Sequence, residues 1–546
     1  MSYLDSPRAH FNGTFEAGPS TLNNVPSNYK PGQSPLQPVW NPNGNAYIKL
    51  IGCTVTSAPT GVPGEQDSTL QGAAVASTDN WGGSGVPSKI VDLDPEQQMV
   101  SMFYGLQLKI GDGDNYVIAD MTAVWFQNYF FGANATYQSV VTPVEWGNKL
   151  TGVVKQWNES SSELLSIRFI AGPVLSQRKA EKPTDSTPFI CQIVGTVGPA
   201  DPADPISFVP ARLLRPTPDP NQTRGKFNFG PAKVTTDKTG KPIRLTIDLG
   251  SSAPTSSQTL TVSVEPAKAM PVTIGNLEFS PNAQSNNALI TDFDLTHLTS
   301  AEAHSLLNGP LVLRDASGQQ LFAEAASGIY ADAYPYVFRM EADTCAEVEF
   351  WATRFGAPAE VSIVISNETA TTLPLGAAEP PRVGVVGPHG AKPSFDTSVR
   401  TKNGRARLTI AGGNPDGFRQ YIDGQVYALG FRTDPPTPDH DPKAFLSLLV
   451  HDRFEAEPTW ENIEPIMKQY AVLYPVMKNM GIDLGDEQSL RANKAALLRV
   501  FALPVDNPGY MPVVRDLSDA KHDAIVAWLN AQPDPGGDGM LSLNPD

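Results

Sequence analysis

The sequence predicts a mainly β protein, with β-sandwich-like domains followed by a small α-helical C-terminal domain. Three observations carry this. The 50 prolines and 45 glycines among 546 residues are spread along the chain, which suits many short strands and turns. Short segments of alternating polarity recur from residue 8 to residue 431. Helical spacing takes over only at residues 458–529.

Within residues 8–17, Phe11 and Phe15 fall in phase, leaving Arg8, His10 and Asn12 on the other face of a strand. Further strands are expected at 46–55, 99–110, 116–131, 164–170 and 189–197. Prolines punctuate 199–205 and 216–222, and the first boundary is placed near 216. Strands follow at 244–249, 259–264, 311–313, 321–325, 337–341, 348–351 and 361–365, interrupted by a short helix capped by Ser300. Residues 371–381 mark a second boundary, and 382–433 read as a small β unit ending in a proline-rich linker. The expected domains are therefore 1–215, 216–375, 376–435 and a helical unit at 443–533.

In that last unit Ile463, Ile466, Met467, Tyr470, Leu473, Tyr474 and Met477 form one helical stripe, with Asn462 as N-cap and Pro465 in the first turn. Pro475 stops or kinks this helix. A second helix starts after Asp486, with Leu490, Leu497, Leu498 and Phe501 inward. A third starts near Ser518, with Asp516 as a cap and Trp528 and Leu529 on its buried side.

The 57 acidic residues outnumber the 40 basic ones, giving a net charge of -17. That balance disfavours attraction to nucleic acid or to anionic membranes. No run of 18 apolar residues exists and the N-terminus lacks a secretory pattern, so no membrane association and a cytoplasmic location are expected. Cys53, Cys191 and Cys345 form neither a CxxC nor a zinc pattern and are read as three buried thiols; no metal site is expected.

The candidate chemistry is sparse. There is no Gly-x-Ser-x-Gly, His-Glu-x-x-His or phosphate-loop motif. Asp112-Gly113-Asp114-Asn115 reads as a hairpin turn rather than a calcium loop. Asp439-His440-Asp441 and His451-Asp452 read as solvated, and Asp519 with His522 as a polar helix face. Arg8, His10 and Asn12 read as the polar face of an edge strand, and they are also the residues able to meet a carboxylate ligand or a partner. Arg515 and Asp516, after Tyr510-Met511-Pro512, read as a structured turn and are the second candidate pair. No catalytic residue is assigned.

Several words occur together along the chain. They are Leu4-Asp5-Ser6-Pro7-Arg8-Ala9-His10-Phe11-Asn12-Gly13, Pro210-Ala211-Arg212-Leu213-Leu214-Arg215-Pro216, Leu311-Val312-Leu313-Arg314-Asp315 and Tyr330-Ala331-Asp332-Ala333-Tyr334. Tyr474-Pro475 and Tyr510-Met511-Pro512 with Arg515-Asp516-Leu517-Ser518 follow. In these words the chain resembles the amino-terminal half of the iminophenylpyruvate (indole imine) dimer synthase and chromopyrrolate synthase family of violacein-type biosynthesis. Members of that family couple two imines made by oxidising an aromatic amino acid, and some are haem proteins. Their second half is a ferritin-like helical domain with metal-ligand motifs, and this sequence contains no Glu-x-x-His. The resemblance implies a non-catalytic partner or scaffold subunit working with a separate ferritin-like protein. No cofactor is then expected on the isolated chain, while haem or iron is what the family would supply; a homo-oligomer is left open. The alternatives are a carbohydrate-binding β-sandwich protein and a self-sufficient haem or metal enzyme.

Overall fold

The computed structural model describes residues 2–22, 46–62, 64–77, 87–94, 97–127, 135–160, 163–177, 188–217, 230–250, 258–264, 270–274, 290–315, 317–368, 390–416, 422–436 and 445–534. The chain is mainly β, with helices concentrated near its C-terminus.

The first unit is an eight-stranded sheet. Its order is Tyr47–Ser57, Ala9–Gly18, Phe189–Pro199, Leu165–Gln177, Ala135–Trp146, Asn115–Met121, Gln107–Asp112 and Val75–Ser77. A three-stranded sheet (Lys89–Asp94, Gln97–Tyr104 and Trp125–Gln127) packs over it. Between the two sheets Phe15, Phe103, Phe126, Tyr137 and Phe169 form an aromatic core, with Phe103 and Tyr137 5.1 Å apart. Helix α1 (Gly152–Asn158) adds Val153, Val154 and Trp157 to this core. The Asp67 carboxylate accepts from the Val153 N–H at 2.8 Å at the start of α1. Gly152, at φ +51°, is needed there: a Cβ would lie 1.9 Å from the Asp67 oxygen.

The second unit is another eight-stranded sheet, spanning Arg212–Pro216 to Gln320–Ala323, with helix α2 (Ser300–Asn308) against it. Its core takes in Ile170 and Val194 from the far face of the first sheet, so the first sheet is covered on both sides. Thr299, not Ser300, caps α2, through a reciprocal bond with Glu302.

Two five-stranded sheets make the third unit. One holds Ile329–Tyr334, Cys345–Arg354, Arg405–Ala411 and Ser394–Phe395, with Ala357–Pro358 beside it. The other holds Val337–Met340, Phe445–Val450, Gln425–Asp434, Ser362–Asn367 and Ser398–Arg400. Strand pairing therefore joins residues on both sides of the 371–381 stretch. It also draws in Phe445–Val450, a strand buried throughout, which pairs in parallel with Val337–Met340. One face of this strand meets Phe350 and Phe431; the other, through Leu449, meets Leu93 and Val100 of the three-stranded sheet.

The C-terminal unit has five helices: α3 (Trp460–Leu473), α4 (Pro475–Asn479), α5 (Glu487–Ala492), α6 (Lys494–Phe501) and α7 (Asp519–Ala531). They bury Ile463, Met467, Leu490, Leu497, Ile525 and Trp528 against one another and against Val91, Met102 and Tyr104 of the three-stranded sheet. Pro475 ends α3 and opens α4. Two of the three caps expected in this unit move. Thr459 precedes α3 in place of Asn462, which puts Pro465 in the helix interior. Asp486 caps α5 as expected. Ser518, not Asp516, caps α7 by accepting from the Lys521 N–H.

Candidate functional site

Of the residues singled out in the sequence, Arg8 and Arg515 lie at buried polar junctions between the units. Arg8 is 1% exposed. The neighbouring strand Ala9–Gly18 is not an edge: it is paired on both sides, by Tyr47–Ser57 and Phe189–Pro199. The expected carboxylate contact of Arg8 exists, but the carboxylate is the chain's own Asp292, at 2.6 Å across to the second sheet. Arg8 also donates to the Leu4 carbonyl at 2.7 Å and, through Nε, to His10 Nε2 at 3.2 Å. Because Nε2 accepts, the His10 proton sits on Nδ1 and is donated to Thr196 Oγ1 at 2.8 Å. Burial, reinforced by the Arg8 charge, holds the imidazole pKa well below its usual value, so His10 is neutral. Asn12 is only partly buried and stands outside this bonded line.

The same N-terminal segment is fastened at two further points. Tyr3 donates to Asp248 at 2.9 Å and accepts from Arg168 at 3.0 Å, and Arg168 pairs with Asp248. Burial raises the Tyr3 hydroxyl to about 12. Lys233 meets Asp5 at 2.6 Å.

Arg212 is the most enclosed cation of the set. It pairs with Glu324, itself buried, and donates to the Leu306 and Gly309 carbonyls at 2.6 and 2.5 Å, which ties the end of α2 to the sheet. Arg215 reaches the Ile329 carbonyl of the third unit at 3.3 Å. There Tyr330 donates to Asp332 at 2.7 Å, and burial raises the Asp332 carboxyl to about 6.

Arg515 has φ +50° and is 2% exposed. Its guanidinium donates to the carbonyls of Val505, Asn507 and Val513 and lies 4.2 Å from the Tyr104 ring centroid. Burial lowers its pKa to about 10. Its own carbonyl accepts from Arg339, which also donates to Asp92, Leu93 and Val514 carbonyls and lies over Trp125. Asp516 accepts from the Tyr470 hydroxyl at 3.1 Å rather than capping α7. Arg515, Asp516 and Arg339 thus join the helical unit, the three-stranded sheet and the third unit.

His451 and Asp452 are buried, contrary to the solvated reading. Asp423 lies 2.7 Å from the Lys521 ammonium and 3.5 Å from His451 Nδ1. Burial pushes its carboxyl up, but His451 and Lys521 outweigh that and hold it at about 2. Asp519 and His522 do not pair: His522 faces Asp523 and the Phe501 carbonyl, and Asp519 donates its N–H to Glu341. Asp439-His440-Asp441 lies outside the described residues. Asp112 and Asn115 close the expected two-residue hairpin. Cys53 and Cys191 are buried and their thiols pushed to about 12, whereas Cys345 is exposed, correcting the reading of three buried thiols.

Residues missed in the sequence include Arg168, Asp248, Glu324, Arg339, Asp423 and Lys521. Local signals marked none of them, since their partners are distant in the chain. Among the described residues no group of three His, Cys, Asp or Glu side chains could hold a metal ion. Arg8 and His10 do not fit an iron or haem ligand: both ring nitrogens are bonded and a guanidinium stands at 3.2 Å.

No family model matches the chain, and no curated protein matches it. Among solved structures, the N-terminal four Ig domains of Dscam1 isoform 6.9 align at 9% identity over 66% of this chain and 81% of that one. The TM-score of 0.10 is too low to bear on fold or function. No helix among the described residues is long and apolar enough to cross a membrane.

Proposed function

We propose that this chain is a non-catalytic partner or scaffold subunit for oxidative tailoring of aromatic amino-acid-derived intermediates, acting with a separate ferritin-like protein. One observation carries the reading. The words that resemble the imine dimer synthase family supply buried polar fastenings: Arg8 with Asp292, Arg215 with the Ile329 carbonyl and Arg515 with Arg339 between units, and Arg212 with Glu324 within the second unit. Side chains so enclosed hold sheets in position, and using them on a ligand would first require breaking those bonds. A shared chassis, with the reactive centre on another polypeptide, accounts for that pattern. The carbohydrate reading needs exposed rings. Among the described residues, the exposed large hydrophobic ones, Ile51, Val62, Val144, Met480 and Val505, include no aromatic.

Co-expression with a ferritin-like protein from the same source tests the proposal. The two are expected to co-purify, with imine-coupling activity only in the mixture. Turnover of an aromatic imine by this chain alone contradicts it.

A further inference from the structure

We propose that the joint between the third unit and the stretch at 203–215 is pH-gated, with the Asp332 carboxyl as its sensor. Four contacts form the joint. Arg405 donates to the Ala203 carbonyl at 2.9 Å, and the Phe208 and Tyr330 rings meet edge-on with centroids 6.4 Å apart. The Thr353 hydroxyl donates to the Ala211 carbonyl at 2.6 Å, and Arg215 reaches the Ile329 carbonyl. Asp332 sits among them. It stands two residues after Tyr330 in the strand Ile329–Tyr334, hence on the same face. Its partner across the sheet is Trp351, on whose ring the Arg405 guanidinium lies.

The Asp332 carboxylate accepts from the Tyr330 hydroxyl at 2.7 Å and from the Ala333 N–H at 2.8 Å, and neither donor is charged. The charged groups around it are engaged with other partners. Arg405 serves Trp351 and Ala203, and Arg407 pairs with Glu349 on the neighbouring strands. From the first sheet Arg168 pairs with Asp248 beside Tyr3, and Arg215 donates to carbonyls. Tyr334, further along the same face, has its hydroxyl pushed up by burial and stays neutral. The closed joint therefore favours the neutral acid: burial raises the carboxyl from 3.8 to about 6, against the two bonds. Above that pH the ion gains by opening the joint to water, where its ordinary value returns. The gate is closed in acid and loosens as pH rises toward and through 6. From pH 5 to pH 8 the opening constant rises about ten-fold. The gate does not depend on the scaffold role.

Hydrogen exchange of the full chain, read by mass spectrometry and corrected for intrinsic rates, tests this between pH 5 and pH 8. In peptides covering 203–212 and 328–334 the wild type is expected to lose about ten-fold more protection than Asp332→Asn, levelling off above about pH 7. Comparing these two chains isolates Asp332 from Asp92, which both retain. Tyr330→Phe removes a bond that favours the charged carboxylate, so its loss of protection is expected to continue to higher pH than in the wild type. Equal pH responses of wild type and Asp332→Asn overturn the proposal. So does a difference of the same size in peptides of α1, which would mean unfolding of the whole chain rather than opening of the joint. If Asp332→Asn does not fold, Tyr330→Phe decides: a response that levels off at the wild-type pH overturns the proposal.

Discussion

Arg212 shows what a single side chain does here. Its guanidinium is enclosed with Glu324, whose side chain is 2% exposed, so neither charge can turn to water when the other is removed. Breaking one partner of such a pair costs about 3–5 kcal/mol, because the surviving charge stays buried. Arg212→Ala is therefore expected to lower unfolding free energy by about that amount in urea titration, and Arg212→Ala with Glu324→Ala by less. Asp92 is the opposite case, a carboxyl with no full ion partner. Burial pushes it up to about 8; the Ser101 hydroxyl at 2.6 Å and Arg339 oppose the shift, and Asp94 adds to it. The folded state keeps a proton that the unfolded chain loses above its ordinary value of 3.8. Stability should fall as pH rises from about 4 to about 8, by ~1.4 kcal/mol per pH unit from this group, and level off above. Asp92→Asn removes that slope; an unchanged slope in the variant would contradict the assignment.

At the scale of elements, the helical unit is held by its caps, by apolar packing and by polar contacts with the third unit. The Ser518 hydroxyl accepts from the Lys521 N–H, and Ser518→Ala should cost about 1 kcal/mol, read as a lower Tm. Lys521 in turn meets Asp423, whose carboxyl lies at about 2. A folded pKa below the ordinary 3.8 contributes stability that is present above pH 4 and lost as pH falls toward 2. The Trp460 and Trp528 rings, tilted against each other with centroids 5.4 Å apart, report on this unit by fluorescence. Asp423→Asn should be less stable at neutral pH and show a flatter response between pH 4 and 2. Near α1, Gly152→Ala would drive a methyl onto Asp67 in a left-handed conformation, and we expect a loss of about 2 kcal/mol or more by denaturant unfolding. Much at this scale was legible in the sequence. The apolar stripe of Ile463, Met467 and Tyr470 and the start at Asp486 follow from local spacing and capping chemistry. Asn462 and Ser300 were misread as caps because a Thr stands just upstream of each helix and takes the N-cap position.

Across the whole molecule, local pattern says little about which strands share a sheet. Val337–Met340 pairs with Phe445–Val450, more than a hundred residues on, and periodicity carries no trace of that partner. The candidate site was hidden for the same reason. Arg8 could be singled out by its neighbours in sequence, but its meaning comes from Asp292, 284 residues away, and that of Arg339 from Arg515 at a separation of 176. Those partners turn apparent ligand-binding residues into fastenings between units. We propose that the resemblance to imine dimer synthases lies in this framework and that the oxidative centre lies on another polypeptide. Metal and haem analysis of the purified chain tests it most directly. Less than about 0.1 iron per chain and no Soret band are expected, since both ring nitrogens of His10 are occupied. Stoichiometric, tightly held iron or haem would contradict it.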